Sequence, residues 1–264
     1  METFLEKYRK ASDEKGSIIN INLDPALPWH RSSHTIPKNF LSESDSETIL
    51  NFSLDLIEKV SDLCCSIKPN TQYFLNDTKI LAKISKAAKN HGLLAILDHK
   101  LSDIGSTNEA AISWISKMGF DAFTFSPFAG NTAQTTSYAH RKGLGVIVLT
   151  VMSNPEAEKT ILSKLDGEEY YLRIAKEVKT TGADGCVVGI TNFVKAEHIS
   201  NVQRLAGNDK VFLLQGLGPQ GGEIEKIKPA ENPLVSLGRD VIFSDDVKSR
   251  LKNYNEMLGK AGTA

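Results

Sequence analysis

Short apolar runs alternate with longer amphipathic segments along almost the whole chain, and this alternation constrains the fold more than any other feature. Eight runs have the length and composition of buried strands: Ser17–Leu23, Cys64–Lys68, Leu93–Asp98, Ala122–Ser126, Gly145–Val151, Gly185–Gly189, Val211–Gln215 and Leu234–Leu237. Apolar strands that alternate with helices are typical of parallel sheets covered on both faces. Eight such units are what a closed (β/α)8 barrel needs, and an open doubly wound sheet is the alternative.

The segments between these runs have the apolar spacing of helices that pack through one face. They predict helices over Thr48–Val60, Leu75–Asn90, Asn108–Met118, Thr132–Lys142, Glu168–Thr181, Lys195–Ala206, Gly222–Lys228 and Asp245–Gly259, with a further helix over Phe4–Ala11. The length of 264 residues suits one barrel. We therefore expect a single α/β domain, a (β/α)8 TIM barrel, over residues 1–264.

The charge balance and the cysteines exclude several classes of protein. The chain has 31 Lys and Arg against 32 Asp and Glu, so its net charge does not favour a nucleic-acid or membrane partner. An anionic ligand would have to be held by local cations. No apolar stretch is long enough to span a bilayer, and we expect a cytoplasmic protein. Cys64, Cys65 and Cys186 match neither a disulfide framework nor a metal motif, which predicts buried free thiols and no metal site.

Charged residues stand at the ends of the first three apolar strands. Asp24 ends the first, Lys68 ends the second, and Asp98 and Lys100 end the third. Strand ends converge on one pocket in a barrel, where buried charges can pair with one another. Strand alternation predicts that Asp98 and Lys100 face the interior while His99 points away. Neighbouring charges about 4 Å apart attract by about 4 kcal/mol at an effective dielectric of about 20, which favours protonated lysines and ionised aspartates. A purely structural ion network is the alternative.

A second cluster follows the last two predicted strands. The segment Gln215–Gly222 is rich in glycine, and Gly238-Arg239 follows the eighth strand. Barrels frequently bind phosphate with these two loops, because backbone N–H groups and an arginine fork suit an anion. The same segment also matches a dinucleotide fingerprint, but only one strand follows it, too few to build a βαβ half-domain. These residues therefore predict a phosphate site.

Two connections are longer than is usual between a strand and a helix. They are Asp24–Ser46 and Met152–Gly167, and both follow predicted strands at the end of the barrel where active sites lie. We expect them to act as lids, with plain decoration as the alternative. Within the first connection, His30 and His34 are predicted to be surface or lid residues, and Trp29 is predicted to pack.

The segment Asp98–Thr107 resembles the Asp-x-Lys-x-x-Asp-Ile-x-x-Thr signature of orotidine 5′-monophosphate decarboxylases. The similarity continues at Leu23-Asp24-Pro25, Ile67-Lys68-Pro69-Asn70, Met152-Ser153, Gly216–Gly222 and Gly238-Arg239. The resemblance implies conversion of orotidine 5′-monophosphate to uridine 5′-monophosphate and CO₂, the last step of de novo pyrimidine synthesis. It also implies a homodimer that uses no metal or organic cofactor, takes a small-molecule nucleotide, and binds neither nucleic acid nor membrane.

The resemblance further implies a role for individual residues. Lys100 would protonate C6 of the pyrimidine, and Asp98 would hold that lysine and lie close to the substrate carboxylate. Asp103 and Thr107 would reach across the dimer interface into the partner's site. The expected catalytic residues are Lys100, Asp98, Asp103 and Lys68. The expected substrate-binding residues are Asp24 and Lys68 for the ribose, Ser153 for the pyrimidine, Gln220, Gly238 and Arg239 for the phosphate, and Thr107 from the partner.

Two other functions fit parts of the pattern. Sugar-phosphate decarboxylases and aldolases on the same barrel share Asp-x-Lys-x-x-Asp, but they bind Mg²⁺ with an acidic residue near the second strand. Here that strand ends in Lys68, whose charge would repel a metal ion. A non-catalytic nucleotide-phosphate binder is the second alternative, and it would hold uridine 5′-monophosphate without releasing CO₂. The intact set of Asp98, Lys100 and Asp103 argues against it.

Overall fold

Eight parallel strands close into a barrel in the computed structural model, which describes residues 2–218 and 224–261. The described strands are β1 Ile19–Leu23, β2 Ser66–Pro69, β3 Leu94–Leu101, β4 Ala122–Phe125, β5 Gly145–Val151, β6 Lys164–Leu165, β7 Glu168–Glu169, β8 Gly185–Gly189, β9 Val211–Gln215 and β10 Pro233–Leu237. Strands β6 and β7 form a separate antiparallel pair, and the others close in the order β1-β10-β9-β8-β5-β4-β3-β2. The predicted closed barrel is confirmed, and the open-sheet alternative is wrong.

Helices surround the barrel, and one helix precedes it. The described helices are α1 Phe4–Lys15, α2 Asp45–Val60, α3 Lys79–Asn90, α4 Gly105–Lys117, α5 Thr132–Arg141, α6 Glu158–Ile161, α7 Tyr170–Thr181, α8 Ala196–Ala206, α9 Arg239–Ile242 and α10 Val247–Ala261. Helix α1 begins with a capping box between Thr3 and Glu6 and ends at Gly16, whose φ of 57° is left-handed. None of the described helices is long and apolar enough to cross a membrane.

The barrel strands bury side chains on both faces, as their continuous apolar sequences predict. Along β9, Phe212 and Leu214 belong to the larger core between the barrel and its helices. The intervening Leu213 belongs to a second core inside the barrel. Helix α1 completes this inner core: Phe4 and Tyr8 pack in it, and the Tyr8 hydroxyl donates to the Pro233 carbonyl at 2.5 Å. The N-terminal end of the barrel is thereby covered.

Several local predictions differ from the structure. The helix predicted over Gly222–Lys228 falls partly on residues 219–223, outside the described part of the chain, and Ile224–Ile227 is a 3-10 turn. The connection after β5 contains α6 and the β6–β7 pair, which its polar sequence did not indicate. Trp29 is exposed, so its predicted packing role is wrong, because the loop that carries it presents the ring to solvent. The three cysteines are free and buried, as predicted.

Candidate active site

Asp98, near the carboxyl end of β3, holds two lysines at once. Its Oδ2 pairs with the Nζ of Lys68 from β2, and its Oδ1 lies 2.6 Å from the Nζ of Lys100. The hydroxyl of Thr124, on β4, also donates to Oδ1 at 2.9 Å. The side chain of Lys68 is only 2% exposed and that of Asp98 is 7% exposed, whereas that of Lys100 is 41% exposed. Lys100 is therefore the more accessible lysine of this cluster.

The backbone at Lys100 departs from regular strand geometry. Its φ is +52°, in the left-handed region that side-chain-bearing residues seldom adopt, and the β3–β4 register shifts between Leu97 and Leu101. The Lys100 backbone N–H donates to the Thr124 hydroxyl at 2.9 Å, which holds this conformation. Asp98 and Lys100 do meet, as predicted, but through an irregular strand end and not through simple alternation. Strained backbone of this kind is concentrated at functional sites.

The two aspartates at the strand ends differ electrostatically. Burial opposes ionisation of Asp98, but the charges of Lys68 and Lys100 outweigh it and hold the pKa of Asp98 well below its usual range. Burial raises the pKa of Asp24, and the attraction of Lys68 offsets only part of that effect. Asp24 forms no ion pair with another described residue. Of the predicted array of two aspartates and two lysines, Asp98 pairs directly with both lysines, whereas Asp24 interacts with them electrostatically without a direct ion pair among the described residues.

A cavity of about 640 Å³ opens at the carboxyl ends of β1, β9 and β10. Asp24, Gly238 and Arg239, three of the predicted binding residues, line it. Asp24 links this cavity to the Asp98 cluster, because its pKa responds to Lys68, Asp98 and Lys100. Gln220, predicted to bind phosphate, lies outside the described residues.

Ser153 lies beyond the end of β5, next to the end of β8. Its hydroxyl accepts a hydrogen bond from Thr191 at 2.9 Å, and its carbonyl accepts one from the Asn192 side chain at 2.5 Å. Gly189 permits this position, because a Cβ on Gly189 would lie 2.3 Å from both the Cβ and the Oγ of Ser153. Glycine at the end of β8 therefore leaves the space that Ser153 occupies.

Asp103 and Thr107 are exposed and form no described hydrogen bond or ion pair with the Asp98 cluster. Asp103 accepts a hydrogen bond from the Ile104 backbone N–H at 2.7 Å, and Thr107 is on the first turn of α4. Neither forms a described contact with Asp98, Lys68 or Lys100. Within this chain the structure therefore does not bring these two predicted site residues to the cluster.

Some residues of the site were missed in the sequence. Thr124 and Asn22 are polar residues within otherwise apolar strands, and that signal could have found them. Asn20, which is buried, donates to the Asn22 side chain at 3.1 Å and to Ser236 at 2.9 Å. These bonds fix the Asn22 amide, which lines the cavity. Arg31 also lines the cavity, but it comes from a long loop whose path the sequence did not predict.

Comparison with known proteins identifies the family. The model of the orotidine 5′-phosphate decarboxylase / HUMPS family matches residues 45–254. The chain belongs to the orotidine 5′-phosphate decarboxylase / HUMPS family. An orotidine 5′-phosphate decarboxylase of Herpetosiphon aurantiacus is 32% identical over 252 residues, which cover 91% of this chain and 90% of that protein. The family predicted from the Asp98–Thr107 signature is confirmed.

Solved structures share the fold of this member of the orotidine 5′-phosphate decarboxylase / HUMPS family. The OMP decarboxylase of Leishmania donovani superposes with a TM-score of 0.81 at 19% identity and covers 100% of both chains. The orotidine 5′-monophosphate decarboxylase of Methanocaldococcus jannaschii, solved with the inhibitor BMP, has a TM-score of 0.68 at 22% identity. It covers 91% of this chain, and the match spans 97% of that protein. At these identities, the likeness shows the common barrel.

Proposed function

We propose that this protein decarboxylates orotidine 5′-monophosphate to uridine 5′-monophosphate and CO₂, the last step of de novo pyrimidine synthesis. The observation that carries the proposal is the buried Asp98 carboxylate, which pairs with Lys68 on one oxygen and presents the accessible Lys100 on the other. Relatives about 31% identical over most of the chain are named orotidine 5′-phosphate decarboxylases, which favours this activity within the family.

Lys100 is the proposed acid of the reaction. When the bond from C6 to the carboxylate breaks, the electron pair stays on C6 and CO₂ departs. The Lys100 ammonium stabilises that developing charge and then donates a proton to C6, after which solvent reprotonates the amine. Asp98 holds Lys100 in place at 2.6 Å. Because this ion pair fixes the position of the Lys100 ammonium, little reorganisation is needed when the charge develops.

The remaining predicted residues are proposed to bind the substrate. Asp24 and Lys68 would contact the ribose, and Ser153 would hydrogen-bond the pyrimidine edge. The phosphate would lie at the Arg239 end of the cavity, where that guanidinium is exposed and unpaired among the described residues. Binding of the phosphate, far from C6, supplies free energy that helps to position the pyrimidine for the reaction. The residues assigned to the phosphate are Gln220, Gly238 and Arg239.

A homodimer with shared sites is also proposed. Asp103 and Thr107 are exposed beside a loop whose Ile104 side chain is 67% exposed, and nearby Phe128 is 86% exposed. The Asn131 side chain joins these segments by donating to the Asp103 carbonyl at 2.8 Å. Exposed apolar groups beside polar side chains are typical of protein interfaces. A partner docked here would receive Asp103 and Thr107 in its own site.

The Mg²⁺-dependent sugar-phosphate reaction is less well supported. The end of β2, where such an enzyme needs an acidic ligand, carries Lys68, and its ammonium pairs with Asp98. In the described part of the chain no three His, Cys, Asp or Glu side chains are grouped as metal ligands. We expect a cytoplasmic enzyme that works without metal or organic cofactor.

The test is the loss of orotidine 5′-monophosphate absorbance in the presence of EDTA. We expect conversion by the natural protein and a fall in kcat of about 10³-fold or more for Lys100→Ala, because the proton donor and its charge are lost. Lys59→Ala is the matched control: this α2 lysine pairs with Asp55 at 2.7 Å, away from the cavity. Near-normal turnover by Lys100→Ala would contradict the role of Lys100. No turnover by the folded natural protein would contradict the activity.

A further inference from the structure

Two arginines line the same cavity, and only one of them is expected from the family signature. Arg239 begins α9, and Arg31 lies in the long connection between β1 and α2. Neither guanidinium forms an ion pair with any described carboxylate. Unpaired cations that face one cavity favour an anionic ligand over a neutral one.

Contacts within its own loop hold Arg31 in place. Its Nε and Nη2 donate to the His34 carbonyl at 2.8 and 2.5 Å. The φ of His34 is +54°, the left-handed conformation. The guanidinium carbon lies 5.3 Å from the centre of the Phe243 ring, and Phe243 immediately follows α9. A guanidinium has five N–H donors, so Arg31 keeps free donors after these contacts.

The acidic residues that line the cavity do not neutralise Arg31. Asp240 is held by Arg250 through two hydrogen bonds of 2.7 Å and by the Tyr254 hydroxyl at 2.6 Å. Asp24 interacts electrostatically with Lys68, Asp98 and Lys100. The cavity therefore has a cationic end, formed by Arg31 and Arg239, neither of which pairs with a carboxylate among the described residues.

We propose that Arg31 is a second phosphate-binding arginine, which makes the cationic end selective for the dianionic phosphate monoester of a nucleotide. This inference rests on the proposed function, because it names a further contact to the same substrate. Bidentate arginine–phosphate pairs are strong and directional, and two guanidinium groups match the charge of a phosphate monoester. Arg31 also connects the β1–α2 loop to the α9 region through Phe243, so bound phosphate would order both.

The experiment compares Arg31→Gln with the natural protein. Dissociation constants for uridine 5′-monophosphate and uridine are measured by calorimetry or by inhibition, together with kcat and KM for orotidine 5′-monophosphate. We expect nucleotide affinity to fall about 10- to 100-fold, since charge-assisted bonds contribute about 1.5–3 kcal/mol each, while uridine affinity stays unchanged. KM should rise more than kcat falls, and Arg31→Lys should recover part of the loss because it keeps the charge.

Arg141→Gln is the matched control, because that guanidinium also lies over an aromatic ring, 5.2 Å from the centre of Tyr138, but outside the cavity. It should leave all the constants unchanged. Equal losses for nucleotide and uridine in Arg31→Gln would overturn the inference, because Arg31 would then only shape the loop. Unchanged nucleotide affinity would overturn it as well. Both results leave the proposed function intact, whereas a natural protein that neither binds nor converts the nucleotides contradicts the function itself.

Discussion

Lys68 depends on Asp98 as its counterion, because its side chain is almost completely buried. We predict that Asp98→Asn lowers the free energy of unfolding by about 3–5 kcal/mol, since removing one partner leaves a buried charge uncompensated. Urea denaturation monitored by circular dichroism measures the change. Asp62→Asn is the control, because this exposed residue should change stability by no more than about 0.5 kcal/mol. A loss below about 1 kcal/mol for Asp98→Asn would contradict the dependence of Lys68 on Asp98 as its counterion.

At the scale of residues, the sequence was most informative where a charge interrupts an apolar strand. Lys68, Asp98 and Lys100 could be found in this way, because burying a charge is costly without a partner. The pairing itself could not be predicted: Asp98 takes both lysines because of the irregular backbone at Lys100, which has no sequence signature. Thr124 carries a weaker signal, because a single hydroxyl in an apolar strand is usually structural and does not by itself indicate a site.

At the scale of elements, a histidine joins α5 to the base of the barrel. His140 Nε2 lies 2.8 Å from Asp184 Oδ2, which also accepts the Val146 backbone N–H at 2.8 Å. The hydrogen bond to Asp184 raises the pKa of His140 above its usual value of 6.5. A raised pKa contributes stability that is fully present below about pH 6.5 and is lost as the pH rises through the folded-state pKa.

We predict that His140→Gln costs more stability at about pH 5.5 than at about pH 8.5, because only the charged imidazole has the ionic part of this contact. The difference should be below about 1 kcal/mol, since the side chain is partly exposed and solvent screens the pair. Urea denaturation at both pH values provides the measurement. In an Asp184→Asn background the pH dependence of the effect should vanish. A cost that is the same at both pH values would mean that the pair acts as a neutral hydrogen bond.

Strands that are predominantly apolar could be predicted almost to the residue. The strands Gly145–Val151, Gly185–Gly189 and Val211–Gln215 have the predicted bounds, because they are predominantly apolar runs of the length of a buried strand. The β6–β7 pair was missed, since two residues on each side of the Asp166-Gly167 turn carry no periodic signal. Turn geometry decides that element, with φ near +53° at Asp166 and +83° at Gly167.

At the scale of the whole molecule, the proposed dimer predicts complementation between inactive variants. Lys100→Ala lacks the proton donor, and Asp103→Ala lacks the residue that would enter the partner's site. Mixed dimers would contain one site with both defects and one intact site, so random exchange should restore about a quarter of natural activity. Turnover after mixing at low protein concentration measures it, with each variant alone as the control. No recovery from subunits shown to have exchanged would mean that each site is built within one chain.

The inner core that Phe4 and Tyr8 of α1 complete fills the barrel interior, and the described cavity lies at the opposite end, at the carboxyl ends of the strands. We expect the substrate to enter and the products to leave at this end of the barrel. The nucleotide product must then dissociate before the next substrate molecule can bind. A loop that binds the phosphate more tightly should therefore also slow product release.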